Sequence, residues 1–122
     1  MSRAEREIGA IGASMVNHCI YCAAVHADRH AQLEKNNEVT DRLFRDGRAA
    51  ELSARDRAIF EFAVALSETP SEAGPKHMQS LRDAGLDDTE ILDLILSTAL
   101  FGWANRLMHV LGDPVRPDHG EA

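Results

Sequence analysis

The stretch from Asp87 to Gly112 limits the choice of fold more than any other part of the chain. Asp87 followed by Glu90 reads as a capping box, and Gly112-Asp113-Pro114 reads as a stop. The two dozen residues between them would make a helix about 36 Å long, at about 1.5 Å per residue. Ile91, Leu92, Leu94, Ile95, Leu96, Leu100, Phe101, Trp103, Leu107, Met108, Val110 and Leu111 cover most of its circumference. A helix apolar nearly all round must be buried nearly all round. One small domain struggles to do that alone, so the pattern predicts a helical bundle that assembles with copies of itself.

The rest of the chain is helical too. Ser2 with Glu5 is a capping-box start, and Ile8, Ile11 and Met15 repeat at helical spacing. This first helix is expected to end near Asn17, which can cap the next. A second helix, roughly Cys19 to Lys35, is rich in alanine (Ala23, Ala24, Ala27, Ala31), so a neighbour can approach it closely. A short third helix, about Glu38 to Arg45, stops at Gly47. Ser53 with Asp56 opens a fourth, whose Ile59, Phe60, Phe62, Ala63, Val64 and Leu66 mark it as a core element. Pro75 fits the first turn of a fifth helix that ends at Gly85. No segment carries the sustained alternation of a strand. The expectation is an all-α bundle of about six helices over residues 1–115, with a polar tail at 116–122.

With 122 residues, the chain has the length of one domain. Its 44% hydrophobic and 27% charged residues are those of an ordinary globular protein. A net charge of −7 argues against nucleic acid or an anionic membrane surface as the main partner. Met1 to Glu7 lacks the apolar core of a signal peptide, and no uninterrupted apolar run approaches the roughly 18 residues of a span. These features predict a cytoplasmic protein with no membrane partner. In that compartment thiols stay reduced, and a lone Cys-x-x-Cys is more often catalytic or metal-binding than structural.

That motif is the chemical centre of the sequence. Cys19 and Cys22 are its only cysteines, and His26 follows the second by four residues. At about 100° per residue the cysteines lie about 60° apart on a helix, with His26 between them. His30 and Leu33 fall in the same arc. Cys22 and His26 stand at i and i+4, where side chains meet. A nearby imidazole or a helix N-terminus lowers a thiol's pKa and exposes the reactive thiolate. Glu7, at the margin of the Ile8-Ile11-Met15 stripe, could relay a proton through His26 or a water. Taken by itself it reads more readily as a solvated or salt-bridged helix residue.

Other readings are available for each residue. A structural disulfide between Cys19 and Cys22 would close a tiny loop and stabilise little. A metal site from Cys19, Cys22, His26 and His30 or His18 has suitable ligand types, but four ligands along one straight helix converge poorly on a tetrahedral ion. His30 reads equally as a surface residue or as support for the site. His109 reads as a core or interface histidine, and His77 and His119 as solvent-exposed. Trp103 and Phe101 read as core or oligomer contacts, and Arg106 as one half of a buried or interfacial ion pair.

Glu7 together with Cys19-x-x-Cys22-x-x-x-His26 resembles the Glu…Cys-x-x-Cys-x-x-x-His signature of the alkylhydroperoxidase D-like proteins, within the carboxymuconolactone decarboxylase-like superfamily. Ser2–Glu7, Leu52–Ala58, Leu81–Leu86 and Asn105-Arg106 look like its uncharacterised peroxidase-related branch, and the resemblance covers roughly residues 2 to 115. It implies an all-α bundle that assembles into dimers, trimers or hexamers. It also implies a thiol-dependent peroxidase without haem or metal. Cys22 attacks the peroxide, His26, linked through a water to Glu7, takes the thiol proton, and Cys19 closes the disulfide that a partner dithiol reduces. Two departures stand out. Tyr21 occupies a position where the best-described members carry histidine, and His18 replaces a frequent glycine. Peroxidase-related members also usually carry several dozen residues ahead of the segment that begins here at Ser2.

The sequence therefore predicts an oligomeric thiol peroxidase acting on a small hydroperoxide with a dithiol electron donor. Its catalytic residues are Cys22, Cys19, His26 and Glu7, with no cofactor and no metal. The alternatives are a decarboxylase-like proton-transfer enzyme, or a non-enzymatic redox-sensing or metal-binding oligomer.

Overall fold

The computed structural model describes residues 1–115 and consists there of six α-helices with no strand. They are α1 (Arg3–Val16), α2 (Ile20–Glu34), α3 (Glu38–Asp46), α4 (Ala54–Ser67), α5 (Pro75–Asp83) and α6 (Asp88–Leu111), with a 3-10 turn at Gly47–Ala49. The polar tail expected at 116–122, including His119, lies outside the described residues. The caps fall where the sequence puts them. Ser2 Oγ accepts from Glu5 N (3.1 Å) while Glu5 Oε1 accepts from Ser2 N (2.7 Å). Asp87 and Glu90 exchange the same pair of bonds at the start of α6. Ser53 Oγ accepts from Asp56 N to open α4, and Gly85 closes α5 at φ +97°.

The centre of the bundle is α1. Every residue from Ile8 to Ser14 is buried, because α2, α4 and α6 all pack against this one helix. Such crowding demands a thin helix. A Cβ on Gly12 would stand 3.1 Å from Ala63 Cβ on α4, and one on Gly9 would stand 3.0 Å from Thr98 Oγ1 on α6. The core then fills around α1 with Ile8, Ile11, Leu43, Ile59, Phe60, Phe62, Leu81 and Leu94. On α2, Ala23 and Ala27 are the buried alanines, as close packing against α1 requires.

Within one chain α6 is buried along one side only. Its buried residues, Ile91, Leu94, Thr98, Gly102 and Asn105, form a single stripe. On the outer side Leu92, Leu96, Leu100, Trp103, Val110 and Leu111 are each more than half exposed. The reason is geometric: the chain supplies α6 with neighbours, α1 and α4 chiefly, on one side only. By length and composition α6 could also cross a bilayer, although polar residues interrupt its apolar run. One of these, Asp93, accepts from Arg6 Nε at 2.8 Å and ties α6 to α1.

A second ionic tie is made by Arg55, which bonds Glu5 and donates to the Ala84 carbonyl (3.3 Å). Burial opposes the charge on Glu5, but hydrogen bonds from Arg55 and the Ser2 backbone outweigh it and hold the carboxyl below its ordinary range. A depressed carboxyl pKa stabilises the fold above the unfolded value and loses that contribution as pH falls through the folded one. Because both partners are partly exposed, the pair contributes about 1 kcal/mol or less. Arg55→Met is expected to lose about that much in urea unfolding at neutral pH and progressively less as pH falls below the ordinary carboxylate range. A loss that is constant with pH would contradict the ion-pair explanation. Gly12→Val, which drives methyl groups into Ala63 and Phe60, is expected to cost about 1–3 kcal/mol or more by the same measurement.

Candidate functional site

The tight link between α1 and α2 makes the site. Asn17 N donates to Ala13 O (3.0 Å), His18 N to Met15 O (3.3 Å) and Cys19 N to Ser14 O (3.0 Å). His18 takes a left-handed backbone (φ +56°), which lets the chain reverse direction within three residues. Here the sequence reading needs correcting on two points. Asn17 is the C-cap of α1 rather than the cap of α2. Cys19 is not in the first helical turn but is itself the N-cap, with its Sγ accepting from Cys22 N at 3.3 Å. A sulfur in that position faces the positive end of the helix dipole.

Cys19 and Cys22 are joined as a disulfide, and both residues are buried. One helical turn on, His26 Nδ1 lies 2.5 Å from Glu7 Oε2 on α1. The resemblance implied a water between these two side chains, but they touch directly. Both are largely enclosed, with side-chain exposures of 21% for His26 and 13% for Glu7. A carboxylate only accepts, so Nδ1 carries the hydrogen, and Nε2 of the neutral ring is left as an acceptor. Phe101 on α6 covers the imidazole, with ring centroids 4.8 Å apart and planes tilted by 59°. The four residues expected at the site, Cys19, Cys22, His26 and Glu7, thus gather on the α1–α2 seam. Tyr21 between the cysteines is 37% exposed and Ile20 beside it 86%. A cleft of about 380 Å³ opens on the Cys19 side, lined by Ser14, Met15, His18, Cys19, Ile20, Ala23 and Phe44.

His30, expected at the surface or beside the site, is 3% exposed, and its Nδ1 has no hydrogen-bond partner. Burial raises the carboxyl of nearby Asp56 above its ordinary range, and the charge of His30 acts in the opposite direction. His109 is not a core residue: it is exposed, and its Nε2 lies 2.5 Å from the Asn17 carbonyl at the end of α1. His77 is half-buried, and its Nδ1 accepts from Gly74 N at the start of α5. Arg106 is exposed rather than buried and makes no ion pair among the described residues. Trp103 stands on the open face of α6. Among the described residues, no three His, Cys, Asp or Glu side chains converge in a way that could hold a metal ion.

Sequence reasoning missed the polar clamp behind the link from Asn17 to Cys19. Asn105, 1% exposed on α6, lies 3.1 Å from Ser14 Oγ and 3.2 Å from the Asn17 side-chain amide. Together with His109 it fixes the end of α1 from which Cys19 is presented. The signal available was Asn105 itself, a polar residue in the Leu94–Thr98 stripe of an apolar helix.

No protein-family model matches the chain, and no curated protein matches it. Solved structures do. The chain is similar to an uncharacterized peroxidase-related protein from Silicibacter sp. TM1040, with a TM-score of 0.83 and 29% identity over 98% of this chain and 63% of that one. It is equally similar to an uncharacterized peroxidase-related protein with an alkylhydroperoxidase AhpD core from Ralstonia eutropha JMP134, at TM-score 0.83 and 27% identity over 97% and 62%. The fold is alkylhydroperoxidase D-like. The debrominase Bmp8, 18% identical with a TM-score of 0.78 over 96% and 62%, shares that fold. The chain spans less than two thirds of the length of the two peroxidase-related structures. Within this alkylhydroperoxidase D-like bundle, Asn105→Leu removes the clamp's bonds to Ser14 and to the Asn17 amide. It is expected to cost about 1–3 kcal/mol in urea unfolding, and an unchanged midpoint would show that the clamp contributes nothing.

Proposed function

We propose that this chain is a thiol-dependent peroxidase, an oxidoreductase that takes hydroperoxide as electron acceptor. The observation that carries the reading is the Glu7–His26 contact at 2.5 Å, made one helical turn from Cys22 of a Cys-x-x-Cys pair. In the proposed cycle the reduced Cys22 loses its proton to His26 Nε2, and Glu7 stabilises the imidazolium that forms. The Cys22 thiolate attacks the peroxide, giving a sulfenic acid and releasing an alcohol or water. Cys19 condenses with the sulfenic acid, water leaves, and the disulfide closes. A dithiol donor then restores both thiols. The scheme calls on no metal, haem or organic cofactor.

The names of the two peroxidase-related structures support the same chemical class. We further propose that the exposed stripe Leu92, Leu96, Leu100 and Trp103 is covered in a homo-oligomer, since an apolar face of this extent is rarely left to solvent. The proposed setting is the cytoplasm, where dithiol donors keep such a pair cycling.

The test is consumption of hydrogen peroxide and cumene hydroperoxide by the purified protein, with dithiothreitol as donor. Cys22→Ser is expected to abolish turnover. His26→Ala is expected to lower kcat/KM about 100-fold and Glu7→Gln about tenfold, through the orientation and charge of His26. Turnover undiminished in Cys22→Ser would overturn the reading.

A further inference from the structure

His18 is the residue of this site without a role so far. Its left-handed backbone (φ +56°) costs free energy for any side chain with a Cβ, although histidine tolerates it better than most. The conformation is imposed from both sides. Asn17 before it is held by Asn105 and His109, and Cys19 after it donates to the Ser14 carbonyl. The effect is to place an exposed imidazole on the wall of the cleft that Cys19 also lines, with Met15, Ile20, Ala23 and Phe44 as apolar walls. Cys22 is not part of that wall, and the imidazole one helical turn from it along α2 is His26. Cys19 and Cys22 are about equally buried, at 5% and 7% exposed, so what distinguishes Cys19 is the cleft that opens on it.

We propose that this cleft receives the reducing thiol, that exchange begins at Cys19, and that His18 is the base for the incoming thiol. The proposal rests on Cys19 and Cys22 being a redox pair. In the step, His18 takes the proton of RSH, and the thiolate forms a bond to Cys19 Sγ. The Cys19–Cys22 bond breaks, and its electron pair stays on Cys22 Sγ, to which the proton taken by His18 returns through solvent. The products are Cys19–S–S–R and the Cys22 thiol. A second RSH then releases RSSR and the Cys19 thiol. Imidazole suits this task because it exchanges protons near neutral pH. The charged groups bordering His18 are Arg48, from the 3-10 turn, and Glu68, from the end of α4, which share a second cleft of about 340 Å³ with it.

The experiment follows reduction of the oxidised full chain by 2-mercaptoethanol, from about pH 6 to pH 10, across the ordinary thiol range. His18→Asn keeps a residue that tolerates the left-handed backbone but does not titrate, and His18→Gly removes the backbone cost as well. Both variants are expected to react about tenfold more slowly near pH 7. The gap should close near pH 10, where the thiol ionises unaided. Equal rates near pH 7, a loss confined to one variant, or a gap that persists at high pH would each overturn the role of His18. Acid-quenched wild type should carry the mercaptoethanol adduct on Cys19, and an adduct on Cys22 would overturn the site of attack. If the oxidised wild type resists reduction at every pH, the redox reading itself fails, and this proposal with it.

Discussion

The thinness of α1 is the constraint on which the rest of the structure depends. Three helices pack against it, which is possible only because Gly9, Ala10, Gly12, Ala13 and Ser14 hold its cross-section close to bare backbone. Gly12 admits α4 and Gly9 admits α6. The remaining side meets α2, doubled back through the three-residue link at Asn17, His18 and Cys19. That doubling back brings Glu7 on α1 against His26 on α2, across a separation of nineteen residues. The carboxylate and the imidazole meet as a consequence of how closely two backbones can approach.

The helices and their ends were legible in the sequence because caps are local. Ser2 with Glu5, Asp87 with Glu90, Pro75 and Gly85 act within a few residues of themselves, and each marks its helix end as expected. The grouping of Cys19, Cys22 and His26 was legible for the same reason, since Cys22 and His26 lie on α2 and Cys19 caps it. What stayed hidden depends on distance or on small side chains. Periodicity weighs large apolar residues, so it did not mark α1, with its glycines and alanines, as the centre of the bundle. In the fold α6 buries one stripe, and α1 is enclosed through seven successive residues. His109 and Asn105 reach Asn17 across about ninety positions, a pairing that no local pattern announces. The burial of His30 and the exposure of Arg106 were not legible, because a ring or a charge at a given helical angle does not reveal what packs opposite it.

Around the disulfide the environment is lopsided. On the Cys22 side lies an enclosed carboxylate–imidazole pair under Phe101, where low exposure strengthens each electrostatic contact. On the Cys19 side lies an open, mostly apolar cleft with His18 at its wall. A buried disulfide that served only as a staple would need neither feature, and a three-residue spacing makes it a weak staple in any case. The polar clamp of Ser14, Asn105, Asn17 and His109 fits the same picture. It holds in place the loop whose geometry decides where Cys19 points.

The redox reading makes the cysteines the reactive groups and the bundle their support. The most direct measurement is a single-turnover titration of the fully reduced protein with hydrogen peroxide, counting thiols and weighing the product. One equivalent of peroxide should remove both thiols and leave a monomer two hydrogens lighter, with Cys19 joined to Cys22. Thiols that survive excess peroxide at neutral pH would contradict it.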